Sequence, residues 1–310
     1  MTSVAFVRMA GVPHHIRVDG PRPGSGTAPV CLLDVGLGMA WFDWDPVVAL
    51  LAPHRTVVRF DRPGLGLSGP APARAWPTLT GEADRIARVL DAAGAGAGTP
   101  VTVVGHSLAG FHCEAFARLY PERTAGLVLV DSAVEEDPRP RRAPALRNAA
   151  TRACGAFLAG AGLPRALGPL LRRTAVRAAR PPGPGNGADP APYDPAPYAS
   201  ASYALAPYDL VRCAYSTSRS LRAVLAENAT YRDQAVELVS LRRRYGLEAP
   251  VTVLAAYAGG SRRWLDRQER LAGRLGGTFR VAAPAGHLVM LDRPGEVADA
   301  ILTTQQSSTP

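Results

Sequence analysis

This sequence predicts an α/β fold in which a mostly parallel, doubly wound sheet is interrupted by a helical insertion, and three observations carry that prediction. Short apolar, β-branched runs alternate with longer amphipathic runs through both ends of the chain, the pattern of a parallel sheet covered on both faces. The alternation stops after residue 130 and resumes at residue 251. Between these, the stretch Val101-Thr-Val-Val-Gly-His-Ser-Leu-Ala-Gly110 puts one serine at a sharp strand-to-helix turn.

Each element follows from its local pattern. Residues 4–9 and 14–18 read as two early strands suited to antiparallel pairing, and residues 30–35 as the next strand. A helix over 41–51, a strand over 56–60 and a helix over 80–93 come next. Residues 101–104 are four β-branched or apolar residues, a buried strand, and 108–120 form a helix with small residues at its start. One more strand is expected at 127–130. A structureless loop reaching from there to residue 251 would be rare in a compact domain, so the interval is read as an insertion with internal order. Within it, residues 143–180 carry Leu, Ala and Arg at helical spacing. Residues 181–197, rich in Pro, Gly and Asp, read as irregular or mobile, and helical character returns over 208–241. The end of the chain reads as a strand over 251–256, a helix over 264–275, a strand over 278–283 and a closing helix over 294–303, with Pro294 in its first turn. Residues 304–310 read as a frayed tail. The expected division is a core of residues 1–132 and 249–310 with a helical cap of residues 133–248.

Composition narrows the class. A chain of 310 residues with 47% hydrophobic content can bury a large core. No apolar run reaches the roughly 20 residues needed to span a bilayer, and residues 1–10 lack the basic head and apolar core of a signal peptide. The expectation is a cytoplasmic protein. Cys31, Cys113, Cys154 and Cys213 include no Cys-x-x-Cys pair, which argues against a zinc site or a disulfide framework and leaves them as buried small hydrophobes. The net charge is +9 and all 35 basic residues are arginine. With abundant Ala, Gly and Pro, this matches the codon usage of a GC-rich genome, and no interleaved aromatics suggest base stacking, so a nucleic-acid partner is not expected. The distribution is more telling: residues 138–180 contain ten arginines and no Asp or Glu. That face suits an anionic substrate, a phosphate-bearing carrier or weak association with an acidic membrane surface. A plain solvated helix surface is the competing reading.

Ser107 is the candidate nucleophile. Gly105, Ala109 and Gly110 are small enough for the backbone to fold back while Ser107 is held in a strained conformation. A serine hydroxyl is a poor nucleophile, so a base must take its proton and a third group must orient that base. His287, in Ala285-Gly286-His287-Leu288 just past the last strand, lies where a loop at the carboxyl edge of the sheet would aim it at Ser107. His106 is adjacent on the turn and points away, and His112 lies one helical turn on. His14, His15 and His54 have no motif context.

Five segments in order then resemble the α/β-hydrolase family with a cap domain. They are Val35-Gly36-Leu37-Gly38, Asp61-Arg62-Pro63-Gly64-Leu65-Gly66-Leu67-Ser68, Gly105-His106-Ser107-Leu108-Ala109-Gly110, Leu127-Val128-Leu129-Val130-Asp131, and Gly286-His287 followed by Leu291-Asp292-Arg293-Pro294. The resemblance covers both halves of the chain and leaves the insertion unmatched. It implies an oxyanion hole made by the backbone N–H groups of Leu108 and Leu37, with Gly36 and Gly38 giving the backbone room. Many members carry His-Gly at the latter loop, whereas Val35 precedes Gly36 here. In most of the family the acid follows the strand after the cap, but residues 249–265 contain neither Asp nor Glu. Asp131, at the carboxyl end of the strand after Ser107, resembles the relocated acid of some members and is preferred. Asp266 is second, followed by Glu135, Glu136 or no acid. The serine excludes the haloalkane dehalogenases and epoxide hydrolases, which attack with aspartate. The resemblance implies no metal and no organic cofactor. The expected activity is hydrolysis of an ester or thioester with a small to medium hydrophobic acyl or alcohol group, through an acyl-enzyme. An acyltransferase or cofactor-free perhydrolase on the same scaffold is one alternative, and a hydrolase-like ligand-binding or signalling protein with little turnover is the other.

Overall fold

The computed structural model describes residues 2–21, 28–72, 75–181 and 207–304. The expectations for residues 182–197 and for the tail after residue 304 lie outside the described residues.

Eight strands build one sheet: β1 (Thr2–Met9), β2 (Val12–Asp19), β3 (Val30–Asp34), β4 (Thr56–Phe60), β5 (Val101–His106), β6 (Thr124–Val130), β7 (Val251–Ala256) and β8 (Thr278–Ala282). Their spatial order is β1-β2-β4-β3-β5-β6-β7-β8. The expected antiparallel start is present: β1 pairs with β2 and β2 with β4 in that sense, and every later pair is parallel. Ala10 and Gly11 close the first hairpin with φ of +47° and +81°, a two-residue turn whose twist suits flanking strands. The central strands β3, β4, β5 and β7 are buried along their whole length. They are covered on both faces, so their sequences run apolar without alternating.

Helices cover the two faces. On one side lie α1 (Asp45–Leu51), preceded by a 3-10 turn at Trp41–Trp44, with α9 (Val289–Asp292) and α10 (Pro294–Thr303). On the other lie α2 (Leu79–Ala92), α3 (Ala109–Leu119) and α8 (Arg263–Leu275). The core respects this division, one apolar cluster on each side of the sheet. Sequence reading missed α9, because four residues are too few to show a helical period. It also began β6 three residues late, since Thr124, Ala125 and Gly126 lack the strong apolar signal of residues 127–130.

Between β6 and β7 the chain forms α4 (Pro144–Gly160), α5 (Leu163–Ala178), α6 (Tyr208–Tyr215) and α7 (Ser218–Arg244). The run with helical spacing over 143–180 forms two helices bent by 101°, because Gly162 takes a left-handed φ of +73° and Pro164 stands just beyond it. The run over 208–241 is likewise split. Thr217 is extended there and its side chain caps α7 by accepting from Ser220 N at 3.2 Å. The cysteine expectation holds for Cys31 and Cys113 and fails for Cys154 and Cys213, which are exposed on α4 and α6. Each helix buries another side against its neighbours, Ala214 of α6 among Trp41 and Phe42 and Leu158 of α4 at the cavity, and leaves its cysteine on the solvent side. Among the described residues no single helix is long and apolar enough to cross a membrane.

Candidate active site

Neighbouring parallel strands lie about 4.8 Å apart, so the residues that leave β5 and β6 at their carboxyl ends emerge side by side. Ser107 follows β5 and Asp131 follows β6. Both adopt left-handed backbone conformations rare for residues with a side chain, with φ of +52° and +42°. Backbone bonds hold them there. Ser107 N donates to Val130 O at 3.2 Å, Gly110 N and Ala133 N each donate to Ser107 O at 3.0 Å, and Asp131 N donates to Leu254 O at 2.7 Å. The turn is tight where glycine stands: a Cβ on Gly105 would lie 2.4 Å from Ala109 O, and one on Gly110 would lie 2.0 Å from Ser132 Oγ. Ala109 departs from the Gly-x-Ser-x-Gly pattern without consequence, because its own methyl is accommodated in the core.

His287 arrives from the loop after β8 and joins the pair. Its Nε2 lies 3.0 Å from Ser107 Oγ and its Nδ1 2.6 Å from Asp131 Oδ2. A carboxylate can only accept, so Nδ1 carries the hydrogen and the Nε2 lone pair faces the serine. The other carboxylate oxygen, Asp131 Oδ1, accepts from Ala256 N at 2.9 Å and from Trp264 Nε1 at 2.6 Å. Asp131 is 3% exposed, and these donors fix which oxygen turns to His287. The loop itself is braced by Asp292, whose Oδ2 accepts from Gly286 N at 2.9 Å.

The competing residues lie elsewhere. Asp266, in the first turn of α8, makes no bond to His287. Glu136 is exposed and pairs with Arg270 at 2.7 Å, and Glu135 bonds Tyr231. His112 is tied to Asp34 and Gln234, His15 to Asp61 and His14 to Val12 O and Arg85, while His54 is on the surface. His106 has a part that sequence reasoning missed. Its Nε2 donates to the His287 carbonyl at 2.8 Å and its ring lies 4.7 Å from the His287 ring. Burial, then the neighbouring His287 charge, holds its imidazole well below the ordinary histidine range. It stays neutral and adds no positive charge beside His287.

The loop expected to supply an oxyanion donor is a turn from Gly36 to Met39, with Gly38 at φ +66°. Arg62, 2% exposed, binds it from beneath by donating to Val35 O at 2.6 Å and Gly36 O at 2.8 Å. Glu227, from α7 of the insertion, accepts from Gly38 N at 3.1 Å and from Arg62 Nε at 2.6 Å, and Asp34 Oδ1 accepts from Arg62 Nη1 at 2.6 Å. Burial opposes the charge on Arg62, but Glu227 and Asp34 hold its pKa above the ordinary value. The backbone groups on either side of Leu37 are thereby engaged. Leu37 N and Leu108 N, the latter at the N-cap of α3, have no acceptor among the described residues. The His106 ring occupies the space over Gly36, where a Cβ would lie 2.8 Å from its Nδ1.

Above Ser107 lies a cavity of about 540 Å³ between the sheet edge and the insertion, with Gly36, Leu37, Gly38 and His287 on its floor. Its wall is mainly apolar, with Leu158 from α4, Leu167 and Val176 from α5, and Leu221 and Val224 from α7. Of the ten arginines in residues 138–180, Arg172 alone lines it, and that guanidinium is matched by Asp43 and by Tyr215 Oη at 3.1 Å.

Comparison with known proteins agrees with this architecture. RutD of Caulobacter vibrioides, provisionally named a carbamate hydrolase, is 36% identical over 132 residues, 42% of this chain and 45% of that protein, so the match spans under half the length of that relative. Among solved structures, the enol-lactonase from Burkholderia xenovorans LB400 superposes with a TM-score of 0.63 at 19% identity, covering 97% of this chain and 100% of that one. The Cif epoxide hydrolase from Acinetobacter nosocomialis gives 0.64 at 16% identity, covering 98% and 88%. At these identities the structures share the fold alone. The profile of the alpha/beta hydrolase family matches residues 31–300, and with a match over that much of its length the chain belongs to the alpha/beta hydrolase family.

Proposed function

We propose that this chain is a serine hydrolase that cleaves a neutral ester or thioester with a small to medium hydrophobic acyl or alcohol group, with residues 133–248 as its cap. The observation that carries this reading is the unbroken chain Ser107 Oγ, His287 Nε2, His287 Nδ1, Asp131 Oδ2 at the floor of an apolar cavity. In the reaction Ser107 Oγ attacks the substrate carbonyl carbon as its proton passes to His287 Nε2. Asp131 holds the resulting imidazolium through Nδ1–H. The carbonyl oxygen becomes an oxyanion beside the N–H groups of Leu37 and Leu108, each contributing about 3–4 kcal/mol of transition-state stabilisation. His287 then gives its proton to the departing alkoxide or thiolate. Water enters, loses a proton to the same nitrogen and releases the acid from Ser107.

The matched charge on Arg172 leaves no free cation in the cavity wall among the described residues, which favours neutral substrates over an anionic carrier. The carbonyl of a carbamate has the same geometry as that of an ester, so the provisional name of the Caulobacter relative is compatible with this chemistry. A serine at the elbow sets the chain apart from attack on epoxides by aspartate.

The test is a fluorophosphonate probe on the folded protein, with Ser107→Ala as control, followed by p-nitrophenyl esters of increasing chain length. Labelling of wild type alone, and turnover that rises and then falls with chain length, is expected. A folded wild type that neither labels nor turns over any ester would leave only a binding or signalling role. Partition of the acyl group to added alcohols or peroxide in preference to water would make it a transferase or perhydrolase.

A further inference from the structure

The arginine-rich run has no part in the catalytic site. Arg139, Arg147, Arg172 and Arg180 pair with Asp137, Asp233, Asp43 and Asp292. Arg141, Arg142, Arg165, Arg173 and Arg177 are exposed and have no acidic partner among the described residues, while Arg152 lies over the Trp76 ring. They share α4, α5 and the segment leading into α4 with large apolar side chains that face outward. Leu146 is 71% exposed, Phe157 75% and Leu170 55%, and none of the three lines the cavity. Single exposed apolar residues are ordinary, but several clustered with unmatched cations on one pair of helices mark an interaction surface. On α5 the pattern is helical: Leu163, Leu167, Leu170 and Leu171 fall at i, i+4, i+7 and i+8, one face. Leu163, Leu167 and Leu171 also line the cavity while being 37%, 39% and 62% exposed, so the apolar wall above Ser107 continues onto this face.

We propose that α4 and α5 form a docking face for an anionic lipid surface, which brings the cavity mouth to a membrane. Charge selects this occupant. Arg173 and Arg177 fall beside the leucine face of α5 and complement anionic headgroups, and Leu170 with Phe157 of α4 would reach past the headgroups into the acyl boundary. A second copy of this chain docked through the same face would set the guanidiniums of Arg173 and Arg177, which have no acidic partner among the described residues, against one another. Docking of this kind decides where the protein sits and is independent of the chemistry at Ser107.

The experiment is co-sedimentation of the full chain with vesicles of phosphatidylcholine alone and of equal parts phosphatidylcholine and phosphatidylglycerol. Binding to the mixed vesicles at least about tenfold tighter than to the neutral ones is expected, with release as salt screens the headgroups. Arg173→Glu/Arg177→Glu and Phe157→Ser/Leu170→Ser should each weaken that binding by about tenfold or more. Neither should alter turnover of a soluble p-nitrophenyl ester, because none of these residues lines the cavity. Equal binding to both vesicle types, no binding, or salt-insensitive binding would overturn the proposal. So would a dimer in gel filtration that Phe157→Ser/Leu170→Ser converts to monomer. A wild-type protein that turns over esters but binds neither vesicle type removes the docking face and leaves the hydrolase, whereas failure of wild-type Ser107 to label, with vesicle binding present, does the reverse.

Discussion

Asp131→Asn tests the site most sharply, because the donors around the carboxylate dictate how an amide must lie. Asp131 Oδ1 receives two N–H groups, from Ala256 and Trp264, and Oδ2 receives the third, from His287. An asparagine keeps one oxygen, and that oxygen goes where two donors wait. The reverse orientation would set an NH2 group against two buried N–H groups, at about 1–3 kcal/mol for each donor left unpaired. The amide nitrogen therefore faces His287 Nδ1, which must become an acceptor, and the ring hydrogen moves to Nε2. His287 then offers a hydrogen to Ser107 where it should take one. The wrong tautomer costs about 10⁴ in kcat, or about 5.4 kcal/mol at 1.36 kcal/mol for each tenfold. The assay is kcat for the best p-nitrophenyl ester, with labelling rate by fluorophosphonate and melting temperature as companions. Asp266→Asn is the control and should leave kcat within about twofold. An Asp131→Asn protein that folds and turns over within about tenfold of wild type would refute the assignment of the acid.

The Glu227 carboxylate joins the insertion to the Gly36–Met39 turn, so Glu227→Gln should fold, lower kcat about tenfold and leave KM nearly unchanged: an amide oxygen at the Oε2 place keeps Gly38 N–H and Arg62 Nη2 but sets an NH2 against Arg62 Nε, and the reverse orientation leaves Gly38 N–H unpaired. Glu227→Ala strands half the counter-charge of a buried guanidinium and should cost about 3–5 kcal/mol in urea denaturation; a loss below about 1 kcal/mol would show the pair to be dispensable. Gly105→Ala sets a methyl 2.4 Å from a backbone oxygen and should destabilise by about 3 kcal/mol or more, whereas Ala109→Gly should cost about 1 kcal/mol, measured by the same titration. His106 and His14 are both held below the ordinary value of 6.5 by burial. Below about pH 6.5 the unfolded chain binds more protons than the native one, so their contribution is whole above that pH and is lost as acid is added. Melting temperature should fall between about pH 7 and pH 5, less steeply in His106→Gln, and equal slopes would exclude His106 as a cause.

The fold was legible because buried parallel strands leave uninterrupted apolar runs, which survive in sequence whatever surrounds them. Ser107, His287 and Asp131 were legible for a related reason: each follows a strand end, and strand ends were visible. What supports them was not. Trp264 is one tryptophan among arginines at the start of α8, and nothing in its neighbours announces that its indole reaches the end of β6. Glu227 lies mid-helix among residues of mixed character, and its partner Arg62 is far from it in sequence. Such pairings exist only after the chain is folded. Arg62 did carry a signal, standing in Asp61-Arg62-Pro63-Gly64, but the segment reads as a turn until the carbonyls it binds are known. The helix breaks at Gly162 and Thr217 were visible as residues and outweighed by the periodicity around them.

The Glu227 contact also bears on how such a protein could be re-engineered. The insertion looks like the natural unit to exchange when a different substrate is wanted, because its helices make most of the cavity wall. Yet α7 hands a carboxylate to the turn that carries Leu37, so a transplanted insertion without an acid at that point would leave Arg62 with Asp34 as its one carboxylate among the described residues and Gly38 N–H without its acceptor. Altering the cavity in this scaffold is best begun on α5, which supplies Leu167 and Val176 to its wall, with Glu227 of α7 left in place.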